Sequence, residues 1–327
     1  MKKVLFDPFD EYNINEKSRL IIRDKVNNIY TLKKVIEKKG KYNLDISKYS
    51  PYWNFRYKYQ VRGLDNKTGE ERWVDQSKYK VLYPEQINEN GMKYLLFEEP
   101  KSDKLLVIFQ AINKNPSYNY VGTLSEFPVN KLFIKDDYGK DKATKSSYYV
   151  GNNKNTYISE MTQKLIIKVA NDLSIDKSNT IFIGSSKGGF GALYHGFLFG
   201  AGYIIAGGPT VLLGQQLSRF KERNSIPTSI FKNIIGEITN ENIDWADNLM
   251  KNAIHNSKQP HPIIKIHVGL WDTFYKNHVI PFMEIANQSG INDIELNIRP
   301  YRNHAELASH FPQFLIYNLN NIINKAK

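Results

Sequence analysis

The chain has 327 residues, no cysteine and a formal net charge of +12, from 45 Lys and Arg against 33 Asp and Glu. A chain of this length buries enough surface to fold without disulfides or a structural metal, and it has room for two domains. The absence of cysteine excludes disulfide frameworks, thiolate-bound metal centres and a thiol nucleophile. It is compatible with a cytoplasmic location, which we therefore expect.

The beginning of the chain carries no pattern typical of secretion. Its apolar run extends only from Val4 to Phe6 before Asp7 and Pro8, whereas the core of a signal peptide has about 7–15 apolar residues. No window approaches the roughly 18 consecutive apolar residues of a membrane span. We therefore expect neither a secretion signal nor a membrane span.

The densest basic run is TLKKVIEKKGKY, which contains Lys33, Lys34, Lys38, Lys39 and Lys41. Val35 and Ile36 within it predict one apolar side of a short helix with a solvated basic face. No nucleic-acid-binding signature accompanies the run, so we expect no nucleic-acid partner. A basic surface can instead attract an anionic polymer or a phosphorylated substrate.

The first part of the chain has the pattern of β-structure. From Trp53 to Val61, apolar and polar residues alternate in WNFRYKYQV, and a turn containing Gly69 leads into ERWVDQ. This period of two predicts a β-hairpin over residues 53–75. The aromatic stripe is either a sugar-stacking platform or the core face of a small sheet, and the core face is the commoner case. We interpret residues 1–92 as a β-rich accessory region.

From Lys93 onward, the pattern changes to short apolar runs without alternation, which are typical of parallel strands covered on both faces. The runs are residues 94–98, 104–110, 131–136, 180–184, 203–207, 263–269 and 294–299. Helical spacing occurs between them, near residues 156–174, 187–199, 276–289 and 305–323. Alternating strands and helices predict an α/β domain over residues 93–327, with a mostly parallel sheet flanked by helices. Residues 208–262 exceed what a crossover needs, so we predict a helical lid there.

One motif in this domain has the context of a nucleophile. The predicted strand TIFIG runs into SSKGGFGALYHGF, which gives the G-x-S-x-G pattern from Gly184 to Gly188 around Ser186. A serine on a sharp turn between strand and helix needs small neighbours, and the following helix directs its N-terminus toward the reacting group. The alternatives are a glycine-rich helix start used only for packing and a phosphate-binding turn. The residue after Lys187 is Gly188 rather than Ser or Thr, and GxxxxGK[ST] is absent, which argues against a P-loop.

A serine nucleophile needs a base, and the base needs an orienting acid. In a strand-turn-helix elbow of this kind, the acid and then the histidine follow the serine, each after a later strand. Asp272 follows the predicted strand 263–269, and His304 follows the predicted strand 294–299. Ser186, Asp272 and His304 therefore lie at the carboxyl ends of predicted strands, where open α/β sheets bind ligands.

Other residues could fill the same roles. His310 is the alternative base, whereas His267 inside a strand and His195 inside the helix after the elbow are better explained by packing. Alternative acids, none of which directly follows a strand, are Asp244, Asp247 and Glu306.

Two backbone N–H groups are the expected oxyanion donors. One belongs to Lys187, the residue after the nucleophile, and the other lies just past the predicted strand 104–110, at Ala111 or Ile112. The side chain of Lys187 is expected to face solvent, with contact to an anionic substrate as the alternative. The absence of cysteine ligands leads us to expect no metal site.

At these residues the sequence resembles the α/β-hydrolases over about residues 93–327. The segments KLFIKDDYG, SYYVG, IFIGSSKGGFGALYHG and GGPTVLLG are similar to a bacterial branch of capsule biosynthesis and accessory secretion proteins. That branch includes capsule polysaccharide O-acetyltransferases, proteins of the XcbB/CpsF type and the accessory Sec component that O-acetylates sugars on serine-rich glycoproteins.

The resemblance implies acyl transfer through an acyl-enzyme on Ser186, with His304 as base and Asp272 as its orienting acid. It implies a serine O-acetyltransferase with no bound cofactor, acetyl-CoA as acyl donor, a bacterial surface glycan as acceptor and association with a capsule or secretion assembly. Because the triad does not decide whether water or a sugar hydroxyl accepts the acyl group, a serine esterase remains an alternative. A non-catalytic protein in polysaccharide export or secretion assembly is the third.

Overall fold

The computed structural model describes residues 3–45, 55–65, 67–113, 116–139, 146–219 and 225–324. The chain divides into two compact units, Met1–Gln86 and Ile87–Lys327.

The first unit is built from antiparallel strands and one short helix. The strands are β1 (Lys3–Phe6), β2 (Ser18–Asp24), β3 (Ile29–Ile36), β4 (Tyr42–Asp45), β5 (Phe55–Leu64), β6 (Glu71–Asp75) and β7 (Lys80–Val81), and the helix is α1 (Pro8–Tyr12). One sheet has the order β3-β2-β5-β6 with β7 also paired to β5, and β1 pairs with β4. The interior holds Leu20, Ile22, Tyr59 and Val61, which are buried.

The structure confirms the predicted hairpin, since β5 pairs antiparallel with β6; its first two predicted residues, Trp53 and Asn54, lie outside the described residues. Phe55, Tyr59 and Val61 of its aromatic stripe are buried in the core of this unit. The alternating aromatic residues therefore form the inner face of a small sheet, which is the commoner interpretation of such a stripe.

The predicted basic helix is wrong. Residues 29–36 form the edge strand β3, which pairs antiparallel with β2. Leu32 and Ile36 pack against the core while Lys33 and Lys34 are exposed. The hydrogen bonds and apolar contacts that β2 offers outweigh a local pattern only a few residues long, and exposed lysines suit an edge strand.

The second unit contains an eight-stranded sheet with the order β15-β14-β13-β12-β10-β11-β9-β8. Its strands are β8 (Gln86–Ile87), β9 (Lys93–Phe97), β10 (Leu105–Phe109), β11 (Asn130–Ile134), β12 (Thr180–Ser185), β13 (Tyr203–Gly207), β14 (Ile263–Gly269) and β15 (Ile294–Arg299). Strands β10 to β15 run parallel to one another, whereas β9 runs antiparallel to β11. The mostly parallel sheet expected from the sequence is thus present.

Seven α-helices of the described residues accompany this sheet: α2 (Tyr157–Asp172), α3 (Lys187–Phe199), α4 (Leu213–Ser218), α5 (Ile226–Ile234), α6 (Asn240–His255), α7 (Ile280–Gln288) and α8 (Leu307–Asn324). The four predicted helical segments correspond to α2, α3, α7 and α8. The predicted lid region contains α4, α5 and α6, and buried residues such as Phe231 and Met250 place α5 and α6 in the main hydrophobic core. A gating role for this region stays a prediction.

The parallel strands bring several polar residues to one edge of the sheet. Gln110 follows β10, Asp136 comes shortly after β11, Ser186 follows β12, and Asp272 follows β14. Because the carboxyl ends of parallel strands share an edge, these side chains lie in one region although they are far apart in the sequence.

Candidate active site

Ser186 occupies a sharp turn between β12 and α3. It has a φ of 54° and a ψ of −117°, a region that costs a residue with a side chain on the order of 1–3 kcal/mol. Its N–H donates to the carbonyl of Gly207 at 2.8 Å, and its own carbonyl accepts from the N–H of Thr210 at 3.2 Å. The strained backbone is therefore held by the end of β13 and the loop that follows it.

The glycines around Ser186 permit a close approach between the turn and its neighbours. A Cβ on Gly184 would lie 2.0 Å from the carbonyl oxygen of Gly188, and one on Gly188 would lie 2.4 Å from the carbonyl oxygen of Phe109. Both distances are far below contact, so side chains at these positions would force the turn open. The turn thus presses directly against the carboxyl end of β10.

The candidate acid and base meet. Asp272 Oδ2 lies 2.8 Å from His304 Nδ1, and the Asp272 side chain is completely buried whereas 28% of the His304 side chain is exposed. Asp272 Oδ1 accepts from the N–H of Phe274 at 3.0 Å, and the Phe274 ring stacks on the imidazole with centroids 3.7 Å apart. The carboxylate and the ring together hold the imidazole so that its other nitrogen, Nε2, is directed away from Asp272.

Gly207 and Gly208 link Ser186 to His304. Gly207 accepts the N–H of Ser186, and a Cβ on the next residue, Gly208, would lie 3.1 Å from His304 Cε1. His304 Nε2 is buried and has no hydrogen-bond partner among the described residues. The serine and the imidazole thus flank the same two glycines, and a hydrogen bond from nucleophile to base often tightens only when substrate binds.

The alternative histidines are placed differently. His310 is exposed on α8 and stacks on the ring of Tyr301 with centroids 4.8 Å apart. His267 is buried in β14 and lies 2.9 Å from Asn297 Oδ1. His195 is buried in α3, where burial lowers its pKa to about 3 and keeps it neutral. None of these three is bonded to Asp272 as His304 is.

The alternative acids have structural partners or lie in solvent. Asp247 Oδ1 accepts from the N–H groups of Gly214 and Gln215 at the start of α4. Glu306 accepts from the N–H of Asn303 at 3.0 Å and closes the turn before α8. Asp244 is exposed on α6.

The two expected oxyanion donors differ in availability. The N–H of Lys187 is among the first four of α3, which have no partner within a helix. The N–H of Ala111 donates to Asn119 Oδ1 at 2.9 Å, so it becomes a donor to substrate only if the asparagine moves. Ile112 is 45% exposed.

The expectation that Lys187 faces solvent is wrong. Its side chain is 1% exposed and its Nζ lies 2.9 Å from Asp136 Oδ2, whose side chain is completely buried. The reason is that the first turn of α3 packs against the carboxyl end of β10, so the side chain of its first residue enters the protein and reaches Asp136, just past β11. A direct contact with an anionic substrate is thereby excluded in this conformation.

Sequence reasoning missed several residues that surround the site. Asp136 carried a usable signal, because it ends an apolar run at a predicted strand end. Tyr120 and Phe274 carried no such signal in the sequence. The Tyr120 hydroxyl shares a 2.5 Å hydrogen bond with Ser185 Oγ. Burial raises the pKa of Tyr120 to about 12, although the hydrogen bond with Ser185 opposes the shift.

His278 is a further residue that the sequence did not single out. Its Nδ1 accepts from the N–H groups of Val211 and Leu212 at 3.4 and 3.3 Å, and its Nε2 lies 3.0 Å from Gln216 Oε1. Burial, and then the nearby His304, lower its pKa to about 4. A neutral His278 thus ties the segment after β14, next to Phe274, to the segment that leads into α4.

Neither a membrane-spanning helix nor a cluster of metal-ligating side chains occurs in the part of the chain that the structure describes. No helix there is long and apolar enough to cross a membrane. No three histidine or acidic side chains within the same ranges come together as metal ligands would.

The mostly parallel sheet and the serine elbow at its carboxyl edge define an α/β-hydrolase-type fold. No protein-family model matches the sequence, and no curated protein matches it either.

Solved structures share the fold. The capsule O-acetyltransferase of Neisseria meningitidis serogroup A superposes with a TM-score of 0.60 and 19% identity over 80% of this chain and 98% of that one. A structure of a variant of that enzyme in complex with CoA gives 0.57 and 20% identity over 71% of this chain and 92% of that one. The glycosylation-associated Gap123 complex of Streptococcus agalactiae gives 0.58 and 17% identity over 98% of this chain and 62% of that one.

A serine hydrolase is also similar. FphF, a fluorophosphonate-binding serine hydrolase of Staphylococcus aureus, matches with a TM-score of 0.50 and 12% identity over 81% of this chain and 97% of that one. The neighbours thus include acetyltransferases and serine hydrolases of one fold, and the resemblance to hydrolase-fold acyl-transfer enzymes that the sequence indicated is confirmed at low sequence identity.

Proposed function

We propose that this protein is a serine O-acetyltransferase that modifies a bacterial surface glycan through an acyl-enzyme. The observation that carries the proposal is the 2.8 Å contact between Asp272 and His304. His304 Nε2 is unpaired, and the imidazole lies against Gly208, which follows the glycine that accepts the N–H of Ser186. In this proposal Ser186, His304 and Asp272 are nucleophile, base and orienting acid, the three roles that acyl transfer requires.

In the first half of the reaction, Ser186 Oγ attacks the acetyl carbonyl of the donor and His304 Nε2 takes its proton. Asp272 stabilises the imidazolium and keeps its tautomer fixed. The N–H of Lys187 stabilises the oxyanion. Collapse of the tetrahedral intermediate breaks the bond to the leaving group, which receives the proton from His304 and leaves Ser186 acetylated.

In the second half, a sugar hydroxyl of the acceptor gives its proton to His304 Nε2 and attacks the acetyl carbonyl. The bond between the acetyl carbon and Ser186 Oγ then breaks, and Oγ takes the proton back from His304, which restores the serine. Acetyl-CoA is the proposed donor, and the similar fold of a capsule O-acetyltransferase solved with CoA supports it. A cytoplasmic site of action would give access to this donor. The similarity to the Gap123 complex supports association with a secretion or glycosylation assembly.

A serine esterase is the second candidate, and the similarity to FphF favours it. The two differ only in whether water or a sugar hydroxyl reaches the acyl-enzyme. Exclusion of water by the segments around the site decides that outcome. A protein that serves an assembly without catalysis is the third, and the pairing of Asp272 with His304 weighs against it.

The test compares wild-type protein with Ser186→Ala, using p-nitrophenyl acetate and then acetyl-CoA with and without a capsular or glycoprotein oligosaccharide. Ser185→Ala is a matched control, because Ser185 directly precedes Ser186 and bonds Tyr120 rather than His304. We expect loss of activity in Ser186→Ala but not in Ser185→Ala. In the wild-type protein, mass spectrometry should detect a peptide acetylated at Ser186. Equal acetyl release by wild type and Ser186→Ala would refute the proposal. Ser186-dependent release without an acetylated sugar would favour the esterase.

A further inference from the structure

A completely buried carboxylate lies behind the serine elbow, and the steps above do not use it. Asp136, shortly after β11, accepts hydrogen bonds from Lys187 Nζ at 2.9 Å and Ser146 Oγ at 2.8 Å. It also accepts from the N–H of Ser147 at 2.9 Å and from its Oγ at 2.8 Å. Burial alone would raise the pKa of Asp136, but the charge of Lys187 and these hydrogen bonds outweigh it and hold the pKa below its usual value.

The cation of this pair belongs to the residue that follows the nucleophile. The backbone N–H of Lys187 is the proposed oxyanion donor, and its side chain runs from the first residue of α3 to the end of β11. Its Nζ lies over the ring of Tyr149, 4.8 Å from the centroid. The residue that presents the donor is therefore anchored at both its backbone and the tip of its side chain.

The same cluster reaches the end of β10. Gln110 Nε2 donates to the carbonyl of Asp136 at 3.2 Å, and the N–H of Gln110 donates to the hydroxyl of Tyr149 at 2.7 Å. The carboxyl ends of β10, β11 and β12 are thus joined through Gln110, Asp136 and Lys187. These strand ends also supply both backbone segments in which the oxyanion donors are expected.

Stability is a weak explanation for such a pair. Removing two charges from water is costly, and replacing a buried ion pair by neutral residues of similar volume is often neutral or stabilising. What a buried, fully hydrogen-bonded pair does provide is a defined position. A displacement of about 1 Å in a group that acts on the transition state can lower a rate by about 100-fold.

We propose that the Asp136–Lys187 pair is a positioning device for the oxyanion site: it fixes the first turn of α3 so that the N–H of Lys187 faces the developing oxyanion on the substrate. Asp136 and the side chain of Lys187 act through the backbone of Lys187 and do not touch the substrate. The inference rests on the proposed serine chemistry. It adds two positioning groups, contributed by β11 and α3, to that site.

The decisive variant removes both charges at once. Lys187→Met with Asp136→Asn leaves no unpaired buried charge and retains similar volumes, so we expect its thermal unfolding midpoint to stay near that of wild type. With p-nitrophenyl acetate, we expect kcat to fall by about 10- to 100-fold with KM nearly unchanged, because only transition-state stabilisation is lost. Inhibition by a phenylboronic acid, which forms a tetrahedral adduct on the serine, should weaken by a similar factor.

A neighbouring ion pair offers the matched control. Lys93 Nζ lies 2.6 Å from Asp137 Oδ2, and this pair is partly exposed. Lys93→Met with Asp137→Asn also removes one lysine charge and one aspartate charge, and Asp137 directly follows Asp136 in the chain. We expect its kcat and its boronate inhibition to stay within about twofold of wild type, since surface pairs contribute little.

A folded Lys187→Met, Asp136→Asn variant with kcat within twofold of wild type would overturn the inference. If that variant does not fold, Ser146→Ala with Ser147→Ala removes two hydroxyl donors to Asp136 and leaves the ion pair in place. We then expect kcat to fall by about 3- to 10-fold at constant KM, and full retention of kcat would overturn the inference. Activity equal in wild type and Ser186→Ala would instead refute the serine chemistry itself, and this inference with it.

Discussion

Two buried carboxylates at the carboxyl edge of the same sheet, Asp136 and Asp272, differ in how far their partners are exposed. Asp136 and its partner Lys187 are both fully enclosed, and hydrogen bonds from Ser146 and Ser147 complete the carboxylate's surroundings. Asp272 is just as buried, but its partner His304 is partly exposed and keeps Nε2 unpaired. We call the first the closed pair, because both partners are enclosed. We call the second the open pair, because one imidazole nitrogen is unpaired, as the proposed proton transfer requires.

The largest effect is expected at the open pair. His304→Gln removes the proposed base, so kcat should fall by about 10⁴-fold or more, as it does when members of such triads are removed. His310→Gln is the matched control, because His310 lies six positions further on and is exposed. Steady-state kinetics with p-nitrophenyl acetate measure both. If His310→Gln were the inactive variant, the assignment of the open pair would be wrong.

A substitution that leaves one charge of the closed pair unpaired should lower the free energy of unfolding. Asp136→Asn leaves the ammonium of Lys187 buried without its counterion, and the unfolding free energy should fall by about 3–5 kcal/mol. Asp137→Asn, at the partly exposed neighbour, should change it by about 1 kcal/mol or less. Urea denaturation at neutral pH measures the two. A small change in Asp136→Asn would mean that the buried cluster tolerates an unpaired lysine.

A third test uses pH to compare histidines near and away from the site. Because burial lowers the pKa of His278 from 6.5 to about 4, the unfolded chain binds a proton in this range that the native protein does not. The stability contribution is therefore present above pH 6.5 and is lost as the pH falls toward 4, by up to about 1.4 kcal/mol per unit.

His278→Gln should accordingly flatten the decrease of unfolding free energy between pH 6.5 and 4, as measured by urea titrations across that range. His195, whose pKa is also lowered by burial, retains its own contribution in both proteins. His255→Gln, at an exposed position on α6, should leave the slope unchanged. An equal slope in wild type and His278→Gln would contradict a neutral, buried His278.

The smallest effect concerns the orientation of the open pair. Phe274→Leu removes the ring that stacks on His304 but leaves the hydrogen bond to Asp272. We expect kcat to fall by about 10-fold or less, because the imidazole gains freedom without losing its partner. The thermal unfolding midpoint of the same variant shows whether a lower kcat comes from the freer imidazole or from a loss of packing. A kcat equal to that of wild type would show that Asp272 alone orients the ring.

Local patterns predicted much of the second unit. The predicted strand at 203–207 coincides with β13, and the predicted helix at 187–199 coincides with α3. Continuous apolar runs arise where a strand is buried on both faces of a sheet, so the pattern can be read from consecutive residues. The edge strand β3 differs, because its local pattern favours a helix while its form depends on pairing with β2, and edge strands carry a weaker pattern.

The glycines of the turn, the serine on it and the order in which acid and histidine follow could all be read from the linear sequence. Each of these depends on contacts within a few residues or on the succession of strands. The pairing of Asp272 with His304 rather than His310, and of Lys187 with Asp136, became visible in the folded structure alone. These contacts join residues that follow different strands, and no local periodicity encodes which strand ends come to lie side by side. The contact of Asn119 with the N–H of Ala111 lies within one loop, where the sequence has no periodic pattern to predict it.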